Sequence, residues 1–446
     1  MKLKLIVVIL LALMLVEVLP TLGLFGVVNS KSGSGNFMAQ SGSADQWPMF
    51  HHDLTHTGYS TSTASKTSRT LWSYLTGSWV DSSPAVADGM VFVGSGDSSV
   101  YALNETTGAK IWSYTTGRSV YSSPAVADGK VFIGSEDSKV YALNETDGIS
   151  IWNYTTGLPV YSSPAVSDGM VFIGSDDHNV YALNETTGAK IWNYTTGGDV
   201  SSSPSVSDGV IFVGSDDHNV YALKETNGAK IWSYLTGSWV DSSPAVSDGV
   251  IFVGSDDYNV YALKETTGAQ IWSYTTGSSV WSSPAVSDGM VFVGSGDHNV
   301  YALNEFTGTQ IWSYTTGGAV GSSPAVSDGM VFIGSEDSKV YALNETTGTQ
   351  IWSYTTGNSG DSSPAVVDGM VFVGSGNNRV YALGPSSSAP EFTSALILII
   401  LIIVGLVAVV LIVAVFIRKN RGKGSAESTI SSNKTLGPAS IREITF

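Results

Sequence analysis

The middle of the chain consists of short apolar runs separated by polar turns, and this pattern repeats every 40 residues. One period contains the apolar runs MVFVGS and VYAL between the polar segments DG, SGDSS and NETTG. The runs have the length of strands rather than helices, and a DG pair between apolar runs is a strong hairpin signal. Each period therefore predicts four short strands. One tryptophan per period marks the repeat, and the eight are Trp72, Trp112, Trp152, Trp192, Trp232, Trp272, Trp312 and Trp352.

The first and last periods are incomplete in complementary ways. Residues 70–77, TLWSYLTG, match only the fourth strand of a period, whereas the eighth period stops at Gly384 without its fourth strand. A linear stack of repeats needs atypical capping repeats, whereas a ring needs its two ends joined. We therefore predict an all-β fold, an eight-bladed β-propeller of four-stranded blades over residues 70–384, in which the N-terminal strand closes the last blade.

The segment YALNETTGAKIW resembles the tryptophan-docking motif of quinoprotein-like (PQQ-type) β-propeller repeats. Its spacing is carried by Ala102, Asn104, Thr107, Gly108 and Trp112, with Asn where the family usually has Asp. The resemblance covers residues 70–384 and implies that the tryptophan of each repeat packs between adjacent blades, which is a structural docking role. Residues 46–60, QWPMFHHDLTHTGYS, also resemble the segment that often precedes the first blade in this group.

Apolar segments at both ends of the chain predict contact with a membrane. Two early lysines and an apolar run predict that residues 1–30 are a signal peptide or an uncleaved N-terminal anchor. Residues 395–417 carry no charge and are long enough for one C-terminal transmembrane helix, and the basic run RKNRGK after them favours a cytoplasmic tail over residues 418–446. We expect residues 31–69 to pack on the propeller, residues 385–394 to be a linker, and the propeller to lie on the extracytoplasmic side of the cell membrane.

Composition and charge narrow the classes of function. The net charge of −17 disfavours nucleic acid as a partner, and the absence of cysteine excludes disulfides and thiolate metal sites. In the family that the repeats resemble, enzymes that bind a quinone carry long insertions, calcium-coordinating carboxylates and an aromatic floor at the ring centre. This chain has none of these insertions, and nearly identical blades offer no convergent set of catalytic groups. We therefore predict no catalytic residue, no cofactor and no metal site.

The segment HHDLTH is a candidate for metal chemistry with a structural alternative. His51, His52, Asp53 and His56 could offer ligands to a metal such as zinc. Their spacing matches no specific metal pattern, which favours a structural cap on the ring. Acidic turns such as SDDHN could hold calcium, but two acids per turn fall short of a full oxygen cage and favour ordinary Asp-rich turns.

Sequons of the form N-x-S/T recur inside the repeats. Those in the docking motif could instead close the turn on their own backbone, so the two on the outermost strand, Asn153 and Asn193, are the better glycosylation candidates. The full set of candidate glycosylation sites is Asn104, Asn144, Asn153, Asn184, Asn193 and Asn344.

Strand direction assigns the turns to two faces of the predicted ring. The DG and NETTG turns share one face, here the DG face, and the remaining turns share the other with the connections between blades, here the connection face. The chain leaves blade 8 on the DG face, so we expect the connection face to be free. The repeats diverge there, and their aromatic and acidic side chains either pack locally or bind a carbohydrate or a basic protein. The candidate binding residues are Trp79, Asp81, Tyr121, Tyr161, His178, His218, Trp239, Asp241, Tyr258, Trp281 and His298.

These observations predict a non-catalytic cell-surface binding or adhesion scaffold with an unknown protein or carbohydrate ligand on its acidic face. Two alternatives remain open. One is a quinone-dependent dehydrogenase, which cofactor uptake would reveal. The other is an envelope-assembly scaffold of the kind that outer-membrane assembly propellers provide.

Overall fold

The structure, a computed structural model, describes residues 46–359, 361–385, 409 and 412. The predicted signal segment (1–30) and cytoplasmic tail (418–446) lie outside the described residues, as does the predicted transmembrane segment (395–417) apart from Val409 and Ile412. The start of the extension and nearly all of the predicted linker also lie outside them. In the part of the chain that the structure describes, no helix is long and apolar enough to cross a membrane.

The described chain folds into eight blades of four antiparallel strands each, and a short extra strand joins the sheet of blade 7 in parallel. Two strands come before the first complete blade, β1 (Tyr59–Ser60) and β2 (Arg69–Leu75). Blade 1 contains β3 (Ala85–Ala87), β4 (Met90–Ser95), β5 (Ser99–Asn104) and β6 (Lys110–Thr115). Blade 2 contains β7 (Ala125–Ala127), β8 (Lys130–Ser135), β9 (Lys139–Asn144) and β10 (Ser150–Thr155). Blade 3 contains β11 (Ala165–Ser167), β12 (Met170–Ser175), β13 (Asn179–Asn184) and β14 (Lys190–Thr195).

The remaining blades repeat this arrangement. Blade 4 contains β15 (Ser205–Ser207), β16 (Val210–Gly214), β17 (Asn219–Lys224) and β18 (Lys230–Leu235). Blade 5 contains β19 (Ala245–Ser247), β20 (Val250–Gly254), β21 (Asn259–Lys264) and β22 (Gln270–Thr275). Blade 6 contains β23 (Ala285–Ser287), β24 (Met290–Gly294), β25 (Asn299–Asn304) and β26 (Gln310–Thr315). Blade 7 contains β27 (Ala325–Ser327), β28 (Met330–Ser335), β29 (Lys339–Asn344) and β30 (Gln350–Thr355), and blade 8 contains β31 (Ala365–Val367), β32 (Met370–Ser375), β33 (Arg379–Gly384) and β2.

Blade 8 is assembled from both ends of the propeller sequence. Strand β2 pairs antiparallel with β33, with Trp72 opposite Ala382 and Leu75 opposite Arg379. The prediction that the N-terminal strand closes an eight-bladed ring is therefore confirmed.

The hydrophobic core lies between neighbouring blades. Between blades 1 and 2, Phe92 lies 5.8 Å from Trp112 by ring centroids, and both pack with buried aliphatic residues of the next blade. The indole Nε1 of Trp112 donates a 2.7 Å hydrogen bond to the carbonyl of Glu145 in the next NETTG-type turn. The ring then lies over Gly148, where φ is +72° and a Cβ would come within 2.6 Å of it. The turn therefore requires glycine for two reasons, backbone conformation and space.

Between blades 7 and 8, the indole hydrogen bond is kept, but its acceptor comes from a different segment of the chain. Blade 8 has no NETTG-type turn, and Trp352 instead donates its indole hydrogen bond to the carbonyl of Ser65, at 2.9 Å. The segment just before β2 thus takes the place of the missing turn.

A closed cycle of serines joins the inner ends of the blades. The backbone N–H of Ser83 donates to the Oγ of Ser123 at 2.9 Å, and the same bond recurs at every blade until Ser363 donates back to Ser83 at 3.0 Å. All eight blades are therefore tied in one continuous ring around the central channel.

Candidate functional site

The DG end of the channel is filled by the segment of residues 46–63, which we call the plug. Its backbone carbonyls accept hydrogen bonds from successive inner strands; Trp47 accepts from Val86 at 2.7 Å and Gly58 accepts from Val326 at 2.7 Å. Strand β1, within the plug, also pairs in parallel with β27. Carbonyls of the plug bond to the innermost parts of blades 1, 2, 4, 5, 6, 7 and 8. The channel is thus closed from the DG side, which leaves the connection face as its open end.

The histidines of the plug support its fold. His51 and His56 are buried, and His51 Nδ1 lies 3.1 Å from the carbonyl of His56. Burial lowers the pKa of His51 to about 4 and that of His56 to about 3, so both are neutral near pH 7. Burial would raise the pKa of Asp53, but hydrogen bonds from His52 and Thr57 lower it to about 2. Within the described ranges, no group of three or more His, Asp or Glu side chains is arranged to hold a metal ion.

At the open end, two consecutive serines lead into the inner strand of each blade. The eight residues that directly precede these serines form a ring, which we call the mouth. Its eight members are Asp81, Tyr121, Tyr161, Ser201, Asp241, Trp281, Gly321 and Asp361. The next two positions are serine in every blade and are buried, because they form the inner hydrogen bonds of the ring. The side chains of the mouth therefore differ from blade to blade, whereas the serines next to them are the same in all eight blades.

Two neighbouring members of the mouth, Tyr121 and Tyr161, are aromatic, and Trp79 of the connection face lies beside Tyr121. The ring centroids of Trp79 and Tyr121 are 6.4 Å apart, and those of Tyr121 and Tyr161 are 5.6 Å apart. The Tyr161 hydroxyl donates a 3.0 Å hydrogen bond to Glu136. Trp79 lies against Gly96, where a Cβ would come within 2.4 Å of the indole. The indole can occupy this position because the residue in that turn has no Cβ.

Carboxyl groups cluster beside the mouth at blades 3 to 5. Burial, with the carboxylate of Asp216 beside it, raises the pKa of Asp241 to about 7, and Asp241 is hydrogen-bonded to Asp216. Burial and Asp241 together raise the pKa of Asp256 to about 6, and burial and Asp199 do the same for Asp176. These carboxyl groups repel one another, so a nearby cation would be stabilised.

Five of the turns on the connection face contain two acids, and the first and second positions have different roles. Asp97 illustrates the second position: its Oδ2 accepts from Gly77 N at 2.6 Å and from the Tyr101 hydroxyl at 2.7 Å, and its Oδ1 accepts from Ser99 N at 3.0 Å. The second-position acid therefore has a structural role, because its carboxylate links the turn to the neighbouring connection and strand. Three first-position acids, Asp176, Asp216 and Asp256, have a buried Oδ1 without a hydrogen-bond partner among the described residues.

Four of the other candidate residues of the connection face lie in these turns rather than in the mouth. His178, His218, Tyr258 and His298 all have φ between 67° and 74° and occupy the left-handed position of the turn. Their carbonyls accept hydrogen bonds from a threonine in the connection, as His178 does from Thr196 at 2.8 Å. His178 Nδ1 lies 3.0 Å from Asp199 Oδ1, within the distance of an ion pair.

The sequons occupy two environments. In the docking motif, Asn104 Oδ1 accepts from Thr107 N at 2.9 Å and closes the turn, and Asn144, Asn184 and Asn344 do the same in their turns. Asn153 and Asn193 lie exposed on the outermost strands β10 and β14. Asn193 Nδ2 donates to Asn179 at 2.9 Å.

The fold and its docking contacts define a class, the eight-bladed β-propellers of PQQ-type repeats. The family model described as outer membrane protein assembly factor BamB matches residues 57–163, 156–238, 236–320 and 299–388. The chain therefore belongs to this family. No curated protein matches its sequence.

Solved structures with the same fold include BamB, alcohol dehydrogenases and a designed protein. BamB from Moraxella catarrhalis is 19% identical with a TM-score of 0.64, covering 73% of this chain and 100% of that one. Quinohemoprotein alcohol dehydrogenase ADHIIG from Pseudomonas putida HK5 is 16% identical with a TM-score of 0.68, covering 77% and 81%. The computationally designed protein Ika8 is 17% identical with a TM-score of 0.63, covering 73% and 100%. Identities this low show the fold alone.

A metal-linked quinone at the ring centre would need carboxylates arranged around its metal. The plug fills the DG end of the channel, and the described residues offer no carboxylate cluster arranged for the metal.

Proposed function

We propose that this chain is a non-catalytic binding scaffold on the extracytoplasmic side of a membrane, and that it holds a protein or carbohydrate ligand at the mouth. One observation carries the proposal. Adjacent positions of the same loop are identical in all eight blades where they form the serine cycle, and differ in chemistry where they face the open channel end. Aromatic rings beside carboxylates are suited to sugars and to basic side chains.

The closed DG end favours a binding site at one end of the channel over a channel that a ligand passes through. Because the plug is bonded to most of the inner strands, a ligand entering from the connection face meets the plug and cannot pass through the ring. The ligand is therefore held by the mouth and the loops around it.

The test is ligand capture by the purified full-length chain on glycan and protein arrays. We expect the Tyr161→Ala/Trp281→Ala variant to lose at least tenfold in affinity for any ligand captured, about 1.4 kcal/mol. Phe306→Ala is the matched control, because Phe306 is an aromatic residue 66% exposed in a turn of the DG face. Equal capture by the wild-type chain and the mouth variant would contradict the proposal.

A second candidate, an envelope-assembly scaffold, is favoured by the family description, which names an outer membrane protein assembly factor. Its test is crosslinking in intact cells followed by mass spectrometry. Recovery of membrane-assembly components alone would support it, and their absence among the crosslinked partners would count against it.

A further inference from the structure

Two segments of the chain, residues 72–86 and 232–246, have the same sequence, WSYLTGSWVDSSPAV. They occupy equivalent positions four blades apart in a ring of eight, so a half-turn about the ring axis relates them. Each presents a leucine, a tryptophan and an aspartate on the connection face. We call these the first patch (Leu75, Trp79 and Asp81) and the second patch (Leu235, Trp239 and Asp241).

The apolar side chains of both patches are exposed. Leu75 is 58% exposed and Trp79 is 40% exposed, and the corresponding values are 66% for Leu235 and 52% for Trp239. Each patch therefore presents a large aliphatic and a large aromatic side chain to solvent on the same face of the ring.

The fold does not require these side chains. The other six blades have threonine at the leucine position, and in blade 3 Thr195 donates a 2.7 Å hydrogen bond to Asn179. Leu235 lies opposite the equivalent Asn219 and lacks this bond. At the tryptophan position the other blades have serine, proline, aspartate or alanine, and the contribution to the turn is made by the backbone carbonyl, as Trp239 O accepts from Asp256 N at 3.0 Å.

Charge indicates the kind of partner. Asp81 and Asp241 are each partly buried beside a second carboxylate, Asp361 and Asp216 respectively. A basic group placed over either patch would relieve this repulsion while an apolar group covers the leucine and tryptophan.

We propose that the two patches are related docking sites for a basic protein partner that presents the same apolar and basic surface twice, as a homodimer does when its twofold axis lies along the ring axis. This inference rests on the proposed function, because it assigns the partner of the connection face. The two patches share their central residues and differ in their surroundings, since the first lies beside Tyr121 and the second beside Asp256. Binding at the second patch therefore weakens more steeply with salt.

The test uses isothermal titration of the full-length chain with a short synthetic peptide of alternating lysine and leucine. We expect two peptides per chain, one after Trp79→Ala or Trp239→Ala, and none after both changes. Two copies of the peptide on a flexible linker long enough to cross the ring should bind about 100-fold more tightly than one. Phe306→Ala should leave two sites.

A second variant guards against misfolding. Leu75→Thr/Leu235→Thr installs the residue that the other six blades carry, so it should keep the melting temperature while weakening both sites. A single site, or no peptide bound, would overturn the inference, as would two sites that persist in the double tryptophan variant. Loss of peptide binding with intact array capture at Tyr161 and Trp281 would leave the proposed function standing and remove only the twofold partner.

Discussion

At the scale of single residues, the surroundings of a tryptophan decide whether it stabilises the ring or faces solvent. Trp232 is buried, and its Nε1 donates a 2.8 Å hydrogen bond to the carbonyl of Glu265 in the next blade. Trp239, seven positions later, contributes only its carbonyl to the turn that it borders. The docking motif distinguishes the two from sequence, because only the buried tryptophans follow its spacing. The environment of Trp79 was less predictable, since it depends on Gly96 in a distant turn.

Trp232→Ala should lower the free energy of unfolding by roughly 3–5 kcal/mol, because it leaves a cavity between blades 4 and 5. Trp239→Ala should change it by about 0.5 kcal/mol or less, as is usual for an exposed position. Chemical denaturation of the two variants in parallel measures the difference. Similar losses of stability in both would mean that Trp239 is also a packing residue.

The buried histidines of the plug predict a dependence of stability on acid. The pKa values of His51 and His56 are about 4 and about 3 in the folded protein, below their ordinary value of 6.5. The unfolded chain therefore binds protons first, and the stabilisation is complete above pH 6.5 and is lost as pH falls toward about 3. Among the described residues, the other charged or titratable groups that act on this pair are Asp53 and His52, both in the plug itself.

We expect His51→Asn/His56→Asn to flatten the fall in stability between pH 6.5 and 4, by on the order of 2 kcal/mol for each histidine. The measurement is the free energy of unfolding at a series of pH values. His298→Asn serves as the control because this histidine is exposed in a left-handed turn position that Asn tolerates. An unchanged slope in the plug variant would show that other groups control the acid response.

At the scale of elements, the repeated parts of the fold were accessible from sequence and the unique parts were not. Strand order, blade count and the closing role of β2 follow from a local pattern that recurs eight times. The plug carries no repeat, and each of its residues meets a different blade, so its path inside the channel has no periodic signal. The roles of neighbouring acids such as Asp176 and Asp177 were also hidden, since the turn aims one carboxylate at the mouth and the other at Gly157 N and the Tyr181 hydroxyl.

Deleting residues 70–77 should lower the melting temperature sharply, because blade 8 loses β2 and Trp72 no longer docks on the turn of blade 1. The comparison is a deletion of equal length within the C-terminal tail, which should leave the melting temperature unchanged. Thermal unfolding followed by circular dichroism measures both. Closure by β2 would be wrong if the two deletions melted alike.

At the scale of the whole molecule, one end of the channel is closed and the other carries the variable residues. The two faces of the ring are therefore different. The chain leaves β33 at Gly384, on the DG face. A membrane segment after this point would leave the mouth facing away from the membrane. The proposed orientation and the proposed binding site are therefore consistent with each other.

We expect a protease added to intact cells to remove the propeller and to leave an epitope at Phe446 protected. The physical reason is the uncharged stretch of residues 395–417 followed by a basic flank, which favours a cytoplasmic C-terminus. Immunoblotting with and without detergent permeabilisation measures protection. Loss of the epitope in unpermeabilised cells would reverse the orientation.

The position of β33 between two partners also determines how the ring would respond to mechanical force. Its residues form ladder pairs with β2 on one side and β32 on the other. Tension that enters at Gly384 along the strand loads both ladders in shear, so that many hydrogen bonds resist together instead of opening in succession. Under such tension, blade 8, which contains strands from both ends of the propeller sequence, carries the force. A bound partner would then be held against flow while the propeller stays folded at its C-terminal end.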